Sequence, residues 1–238
     1  MKGEGWEPRE QGVRPTDVNP ITHGLVGWMV AGTVRNLDRR DRTLITLAAV
    51  APDLDGFGLV PELITRHSSD PLLWWTEFHH VLLHNVTAST VMGTLILVAS
   101  RRKGWTTVLS FASIHLHLLG DLVGSRGPDG YVWTIPYLSF FSYRWEWSWS
   151  GQWELNGWQN IALSIVLLGA TFALAWERGY SPVGLFCERG DKLFIETLRR
   201  RLGRVNNQSS CTNENDGSPR PVSCGKPSIE TELAQSSP

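Results

Sequence analysis

The residues of this chain best suited to chemistry lie in one apolar segment near its middle. His117 and Asp121 stand four positions apart in the run 113–124, which contains no Lys or Arg to neutralise the carboxylate. Residues four apart on a helix lie one turn apart on the same face. An imidazole and a carboxylate in that arrangement can bind one divalent metal ion, or they can form a buried His–Asp hydrogen bond. The pair alone leaves both interpretations open.

Three further apolar segments carry histidines or aspartates at one end. Short basic turns, at 35–42 and 101–103, connect the segments at the other end. If both helix pairs are antiparallel hairpins, every candidate falls at the same end of a bundle. Independent core histidines would have no reason to coincide in this way. The sequence therefore predicts a metal site with the candidate ligands His23, Asp53, Asp55, His79, His84, His117 and Asp121.

This ligand set indicates a class of metal and a class of reaction. Histidine and carboxylate ligands without a nearby cysteine suit zinc first, and also manganese or iron. Seven candidates exceed one tetrahedral shell, so the set has room for more than one ion, with Asp53 or Asp121 as a candidate bridging or base carboxylate. Paired metal ions activate water and hold both the attacking and the leaving oxygen of an ester or phosphodiester. The predicted function is hydrolysis by metal-activated water.

In the third apolar segment, either His79 or His80 could bind the metal together with His84. His80 and His84 are four apart and share a helix face, whereas His79 and His84 are about 140° apart around a regular helix. Helix geometry therefore favours His80, unless His79 precedes the first turn. His115 is two residues from His117 and should point elsewhere, so we interpret it as a core histidine or one that supports the ligands.

These residues resemble the motifs of the predicted membrane-bound metal-dependent hydrolases, proteins similar to the LexA-regulated inner-membrane hydrolase. The matching segments are Thr22-His23-Gly24, Pro52-Asp53-Leu54-Asp55, His79-x4-His84 and His117-x3-Asp121. The resemblance covers about residues 19–140, implies a hydrolase without a known substrate, and favours His79 over His80. The third motif, His79-His-Val-Leu-Leu-His84, keeps both histidines and lacks the Arg-Gly and Thr of the family pattern. The His-x3-Asp helix is more loosely similar to zinc-dependent phospholipase C.

The whole chain is expected to be all-α: an antiparallel helical bundle with membrane-associated helices and an irregular Trp-rich loop within 125–160. Residues 1–18 are predicted to be a flexible lead-in, 19–203 the helical hydrolase-like domain, and 204–238 a disordered tail because large apolar residues are almost absent there. One helix is predicted from about Glu77 to Ser100, and a mixed loop over 57–77.

A membrane location follows from the charge and aromatic patterns. Basic residues cluster at one end of the predicted helices and the Trp-rich loop at the other, which predicts a metal site on the non-cytoplasmic side. Val81 to Ser100 is long enough to span a bilayer, Ile161 to Trp176 is marginal at about 24 Å, and Thr43 to Ala51 is too short. Expected partners are membrane lipid and a small-molecule or lipid-linked substrate. The net charge of −1 gives no indication of nucleic acid. The alternative is a non-catalytic membrane protein with a structural His/Asp metal site.

Overall fold

The chain is all-α, as predicted, in the computed structural model, which describes residues 20–127, 130–142 and 144–203. The predicted lead-in, 1–18, and the predicted tail, 204–238, lie outside the described residues. The helices are α1 (Pro20–Gly32), α2 (Arg39–Ala48), a 3-10 helix (Ala51–Gly58), α3 (Leu59–Thr65), α4 (Trp74–Phe78), α5 (Val86–Ala99), α6 (Lys103–Gly124), α7 (Trp158–Arg178), α8 (Val183–Phe186) and α9 (Glu188–Leu202).

Two helical hairpins, α1–α2 and α5–α6, form the body of the bundle. Helix α2 packs against α6, and α1 packs against both α6 and α7. The buried apolar clusters are small and lie where these helices meet; they consist of Ala31, Leu37 and Ile45, and of Ala48, Ile96 and Ile114. Helix α6 touches every other member of the two hairpins, so its placement decides where the candidate residues meet.

A buried carboxylate on α2 fixes the start of α6. Asp41 is fully buried and accepts hydrogen bonds from the backbone N–H groups of Arg101 (2.9 Å) and Arg102 (2.8 Å). The first N–H groups of a helix have no partner within it, and the helix dipole favours an anion there. Asp38 in turn accepts from the Asp41 N–H and from the Arg101 guanidinium. Both basic turns therefore meet at one end of the bundle.

The segment after α2, which carries Asp53 and Asp55, is helical. The chain continues as a 3-10 helix from Ala51 to Gly58, with Pro52 in its first turn. Asp53 thus lies in the first turn of a helix, where the dipole stabilises a carboxylate. The prediction of a mixed loop over 57–77 is wrong in part, because α3 and α4 lie within it. Two hydrogen bonds from Thr76 to the buried carboxylate of Glu62 connect these short helices.

The single helix predicted from Glu77 to Ser100 is also wrong. Residues 79–85 are irregular, and α5 begins only at Val86, with Asn85 as N-cap accepting from the Ala88 N–H at 2.9 Å. His80 has a φ of 65°, in the left-handed region that L-residues rarely adopt, which interrupts the helix. The helical argument for pairing His80 with His84 therefore does not apply.

Among the residues that the structure describes, two helices are long and apolar enough to cross a membrane: α6, with 22 residues, and α7, with 21. At 1.5 Å per residue each extends for about 30 Å or slightly more, the thickness of the hydrocarbon core. Helix α7 is longer than the predicted 161–176 segment, and α5, with 14 residues, is shorter than predicted. A third span arises if α2 and the helices over 51–65, bent by 51°, count as one.

The Trp-rich loop is irregular, as predicted, and hydrogen bonds attach it to the end of α6. Gln152 is 2% exposed; its amide donates to the carbonyl oxygens of Asp121 and Leu122, and its oxygen accepts from the Trp133 N–H. The Trp153 N–H donates to the Val123 carbonyl at 2.9 Å. The loop is therefore attached at the end of α6 opposite the basic turns.

We expect Asp41→Ala to lower the free energy of unfolding by about 2–4 kcal/mol, because two backbone N–H groups at the start of α6 lose a buried, charged acceptor. The matched control is Asp70→Ala, at an exposed aspartate, which should change stability by less than about 0.5 kcal/mol. Thermal unfolding of the purified protein in detergent measures both. Equal stability of the two variants would contradict the capping role of Asp41.

Candidate metal centre

Asp121 is the residue on which the candidate site converges. One of its oxygens lies 3.2 Å from His23 Nε2, and the other lies 3.0 Å from His117 Nε2 and 3.3 Å from His84 Nε2. The three histidines come from α1, α6 and the segment before α5. His117 Nε2 also lies 3.5 Å from an oxygen of Asp53. The structure therefore brings together five residues that the sequence predicted as ligands.

The tautomers of two histidines follow from their other ring nitrogens. His117 donates Nδ1–H to the carbonyl oxygen of Ala49 at 2.8 Å, and His84 donates Nδ1–H to Asp55 at 3.0 Å. Carbonyl and carboxylate acceptors of this kind orient metal-binding imidazoles. Each ring is left with a lone pair on Nε2, and the two Nε2 atoms lie 3.2 Å apart. Two lone pairs this close, beside a carboxylate, repel each other unless a proton or a metal ion lies between them.

Two groups of donor atoms have the spacing of a metal shell. His23, Asp53 and His117 form one group, while His80, His84 and Asp121 form the other, with the donor atoms of each group within 4.8 Å of one another. Asp121 also contacts both histidines of the first group, so it lies between the two groups. An oxygen of Asp53 and Nδ1 of His80 are buried without a hydrogen-bond partner. The donor set fits divalent zinc, manganese or iron.

Asp55 and His79, two of the seven predicted ligands, belong to neither donor group and instead hold the residues around His84 in place. Asp55 accepts from His79 Nδ1 at 2.8 Å, from His84 Nδ1 and from the Leu83 N–H at 3.3 Å. These bonds hold the irregular segment 79–84 against the 3-10 helix. His79 also stacks on Trp75, with ring centroids 3.7 Å apart. His80, and not His79, shares a donor group with His84.

The charges of the site are unbalanced without a cation. Within the described residues, the ion pairs of Asp53, Asp55 and Asp121 all run to histidines. Burial lowers the pKa of His84, but hydrogen bonds and charge from Asp121 and Asp55 outweigh it and raise that pKa to about 9. Burial and the neighbouring His84 and His79 hold the pKa of His80 well below its ordinary value. A proton on His84, or a metal ion, relieves the contact between the imidazoles.

A cavity of about 240 Å³ opens onto both donor groups. His23 and Asp53 line it from the first group, and His80 and Asp121 from the second. Gly120 allows this arrangement, because a Cβ at that position would lie only 3.1 Å from the His23 ring. A centre with a neighbouring cavity can admit water and a substrate, which a closed structural site does not.

His115 lies outside the donor groups, as the sequence indicated. Its Nδ1–H donates to the Phe111 carbonyl, and its Nε2 accepts from the Tyr137 hydroxyl at 2.9 Å. Tyr137 stacks on Trp147, with ring centroids 4.1 Å apart. His115 therefore holds the Trp-rich loop. Trp133 from that loop packs against the His80 ring, a contact that the sequence did not indicate.

The chain belongs to the YdjM inner membrane protein family, whose pattern it matches over residues 18–187. The match includes every candidate ligand and both candidate spans. Together with those spans, it confirms the predicted membrane location and the likeness to an inner-membrane family. No curated protein and no solved structure matches the sequence.

Replacing His117 or Asp121 with Ala should abolish retention of metal, because both project into the site from one face of α6 and Asp121 contacts both groups. Metal analysis of the purified protein measures this. His115→Ala is the matched control: it removes an imidazole from the same helix and should keep the metal content, with a stability cost of about 1–3 kcal/mol. Equal metal loss in all three variants would contradict the assignment of the helix face.

Proposed function

We propose that this member of the YdjM inner membrane protein family is a metal-dependent hydrolase of an ester or phosphoester, with zinc as the first candidate metal. The observation that carries the proposal is the cavity that both donor groups share. His23 and Asp53 line it from one group, and His80 and Asp121 from the other. A metal that served only to join helices would need no such space beside it.

The residues of the centre have separable roles in this proposal. His23, His84, His117 and Asp121 would hold the metal, with Asp121 as the bridge if two ions bind. The bound metal would supply a water of lowered pKa and polarise the scissile group. Asp53 lines the cavity and keeps one buried oxygen without a hydrogen-bond partner, so it can accept the proton of the attacking water. Asp55 holds His84 in the tautomer that presents Nε2.

The purified protein supplied with Zn²⁺ or Mn²⁺ should hydrolyse bis(p-nitrophenyl) phosphate or a p-nitrophenyl ester. Asp53→Asn should lower the turnover by about 100-fold or more, because the amide cannot accept the proton. The control is Asp70→Asn, an exposed aspartate outside the site, which should keep the wild-type rate. Stoichiometric metal without turnover of either substrate would instead favour a structural metal site.

The basic turns and the donor groups lie at opposite ends of the bundle, which supports a proposal for the side of the membrane that the site faces. Arg35 lies 3.8 Å from Glu177 at the end of α7, and Arg199 donates to the Trp176 carbonyl nearby. The basic turns and these helix ends share one end of the bundle. The donor groups and the Trp-rich loop share the other. Because positive segments stay cytoplasmic, we propose that the metal site faces the opposite side.

A cysteine at Ser150 should react with a membrane-impermeant thiol reagent in intact cells, because it is exposed in the Trp-rich loop. The matched position is Lys103, exposed at the start of α6, where a cysteine should react only after the membrane is opened. Both substitutions are made in a chain with its three natural cysteines replaced by serine. Labelling of Lys103→Cys alone in intact cells would reverse the proposed orientation.

A further inference from the structure

The cavity beside the metal centre lies on the surface of the two candidate spans. Its walls come from α6 and α7, and its floor comes from α1, which packs against both. Leu116 and Leu119 line it from α6, and Leu163 from α7; these side chains are 41%, 51% and 42% exposed. Because α6 and α7 are candidate membrane spans, we place these exposed leucines, and with them the opening of the cavity, on the lipid side.

The two ends of the cavity differ in chemistry. The inner end carries the donor groups, whereas the walls toward the lipid side are apolar, formed by the exposed leucines together with Val26 and Val123. Asn160, at the edge, is satisfied: its amide donates to the Gly124 carbonyl at 2.8 Å and its oxygen accepts from Trp153 Nε1 at 2.7 Å. A molecule that fits both ends has a polar reactive group joined to an apolar chain.

The size of the cavity limits how much of such a molecule it can hold. Its volume of about 240 Å³ is smaller than the roughly 300–1,000 Å³ of pockets that enclose most of a ligand. It can therefore take one segment of a hydrocarbon chain, while the rest of the molecule stays in the surrounding lipid. A substrate that entered from water would instead need polar groups along the walls.

We infer that the substrate is a membrane lipid, which enters sideways from the bilayer with one hydrocarbon chain between α6 and α7. Its ester or phosphoester then lies at His23, Asp53, His80 and Asp121. This inference depends on the proposed function, because it assigns the substrate class of the same centre. A water-soluble ester entering from the aqueous side is the competing outcome.

The test is photolabelling of the purified full chain in phosphatidylcholine vesicles. The probe is a diacyl phosphonate lipid, which cannot be hydrolysed at its phosphonate, with a diazirine near the carboxyl end of one acyl chain, in the segment that the cavity would hold. Labelling of the peptides over 113–124 and 158–166 should saturate and be displaced by excess unlabelled phosphonate. Labelling at outward-facing positions of α5, such as Val98, which is 77% exposed, should not be displaced.

Two matched tryptophan variants test whether the labelled chain binds in the cavity. Leu163→Trp fills the apolar wall and should lower the displaceable labelling about tenfold, because a buried chain segment is lost. Ile165→Trp adds the same ring to α7 at a position that is 65% exposed and does not line the cavity, and should leave the displaceable labelling unchanged. Because both sites are exposed, folding and metal content should stay at wild-type values in both variants.

Because photolabelling does not depend on hydrolysis, it tests the lipid substrate independently of the proposed hydrolase function. Hydrolysis of a soluble phosphodiester without displaceable labelling would keep the proposed function and overturn the lipid substrate. Displaceable labelling without hydrolysis of any ester would keep the chain-binding cavity and overturn the proposed function. Equal loss of labelling in both tryptophan variants would also overturn the inference, since it would place the chain on the general lipid-facing surface.

Discussion

The constraint on which the structure depends is the burial of three carboxylates, those of Asp53, Asp55 and Asp121, whose ion pairs within the described residues all run to histidines. An ionised carboxylate is costly to bury unless a charge or several donors compensate it. Asp55 meets this requirement with the Nδ1–H groups of two histidines and a backbone N–H. Asp121 faces the Nε2 atoms of His84 and His117, whose Nδ1 protons are already committed to other acceptors. Its charge is balanced only when a proton or a metal ion joins the group.

The helix that carries Asp121, α6, is also fixed at both of its ends. Asp41 fixes the start of α6 through two backbone hydrogen bonds, and Gln152 and Trp153 attach the Trp-rich loop at its other end. Helix α6 is therefore held at both ends, about 30 Å apart. His117 and Asp121 are positioned by this rigid element, whereas His80 and His84 are positioned by a segment without regular structure. The first pair is placed by the fold. The second depends on the hydrogen bonds that hold its segment to Asp55, which come from His79, His84 and the Leu83 N–H.

The sequence predicted the elements whose signals are local, and missed those that depend on contacts across the chain. Spacing alone identified α6 with His117 and Asp121 on one face, and the basic turns indicated that the candidates share one end. The break over 79–85 was not predictable from periodicity, because the apolar pattern continues through it while the bonds of Asp55 and the φ of His80 interrupt the helix. The contact of Trp133 with His80 joins residues 53 positions apart and leaves no local signal.

The depth of the centre connects the membrane helices to the chemistry. Asp121 lies three residues before the end of α6, about 5 Å along the helix axis from its last residue. In a helix that spans the hydrocarbon core, that position is close to the level of the lipid headgroups. The exposed Trp145, Trp147, Trp149 and Trp158 belong to the same end, and tryptophan is favoured at the membrane interface. In such a placement, the donor groups would lie at the depth where the ester and phosphate bonds of lipids are found, as the proposed lipid substrate requires.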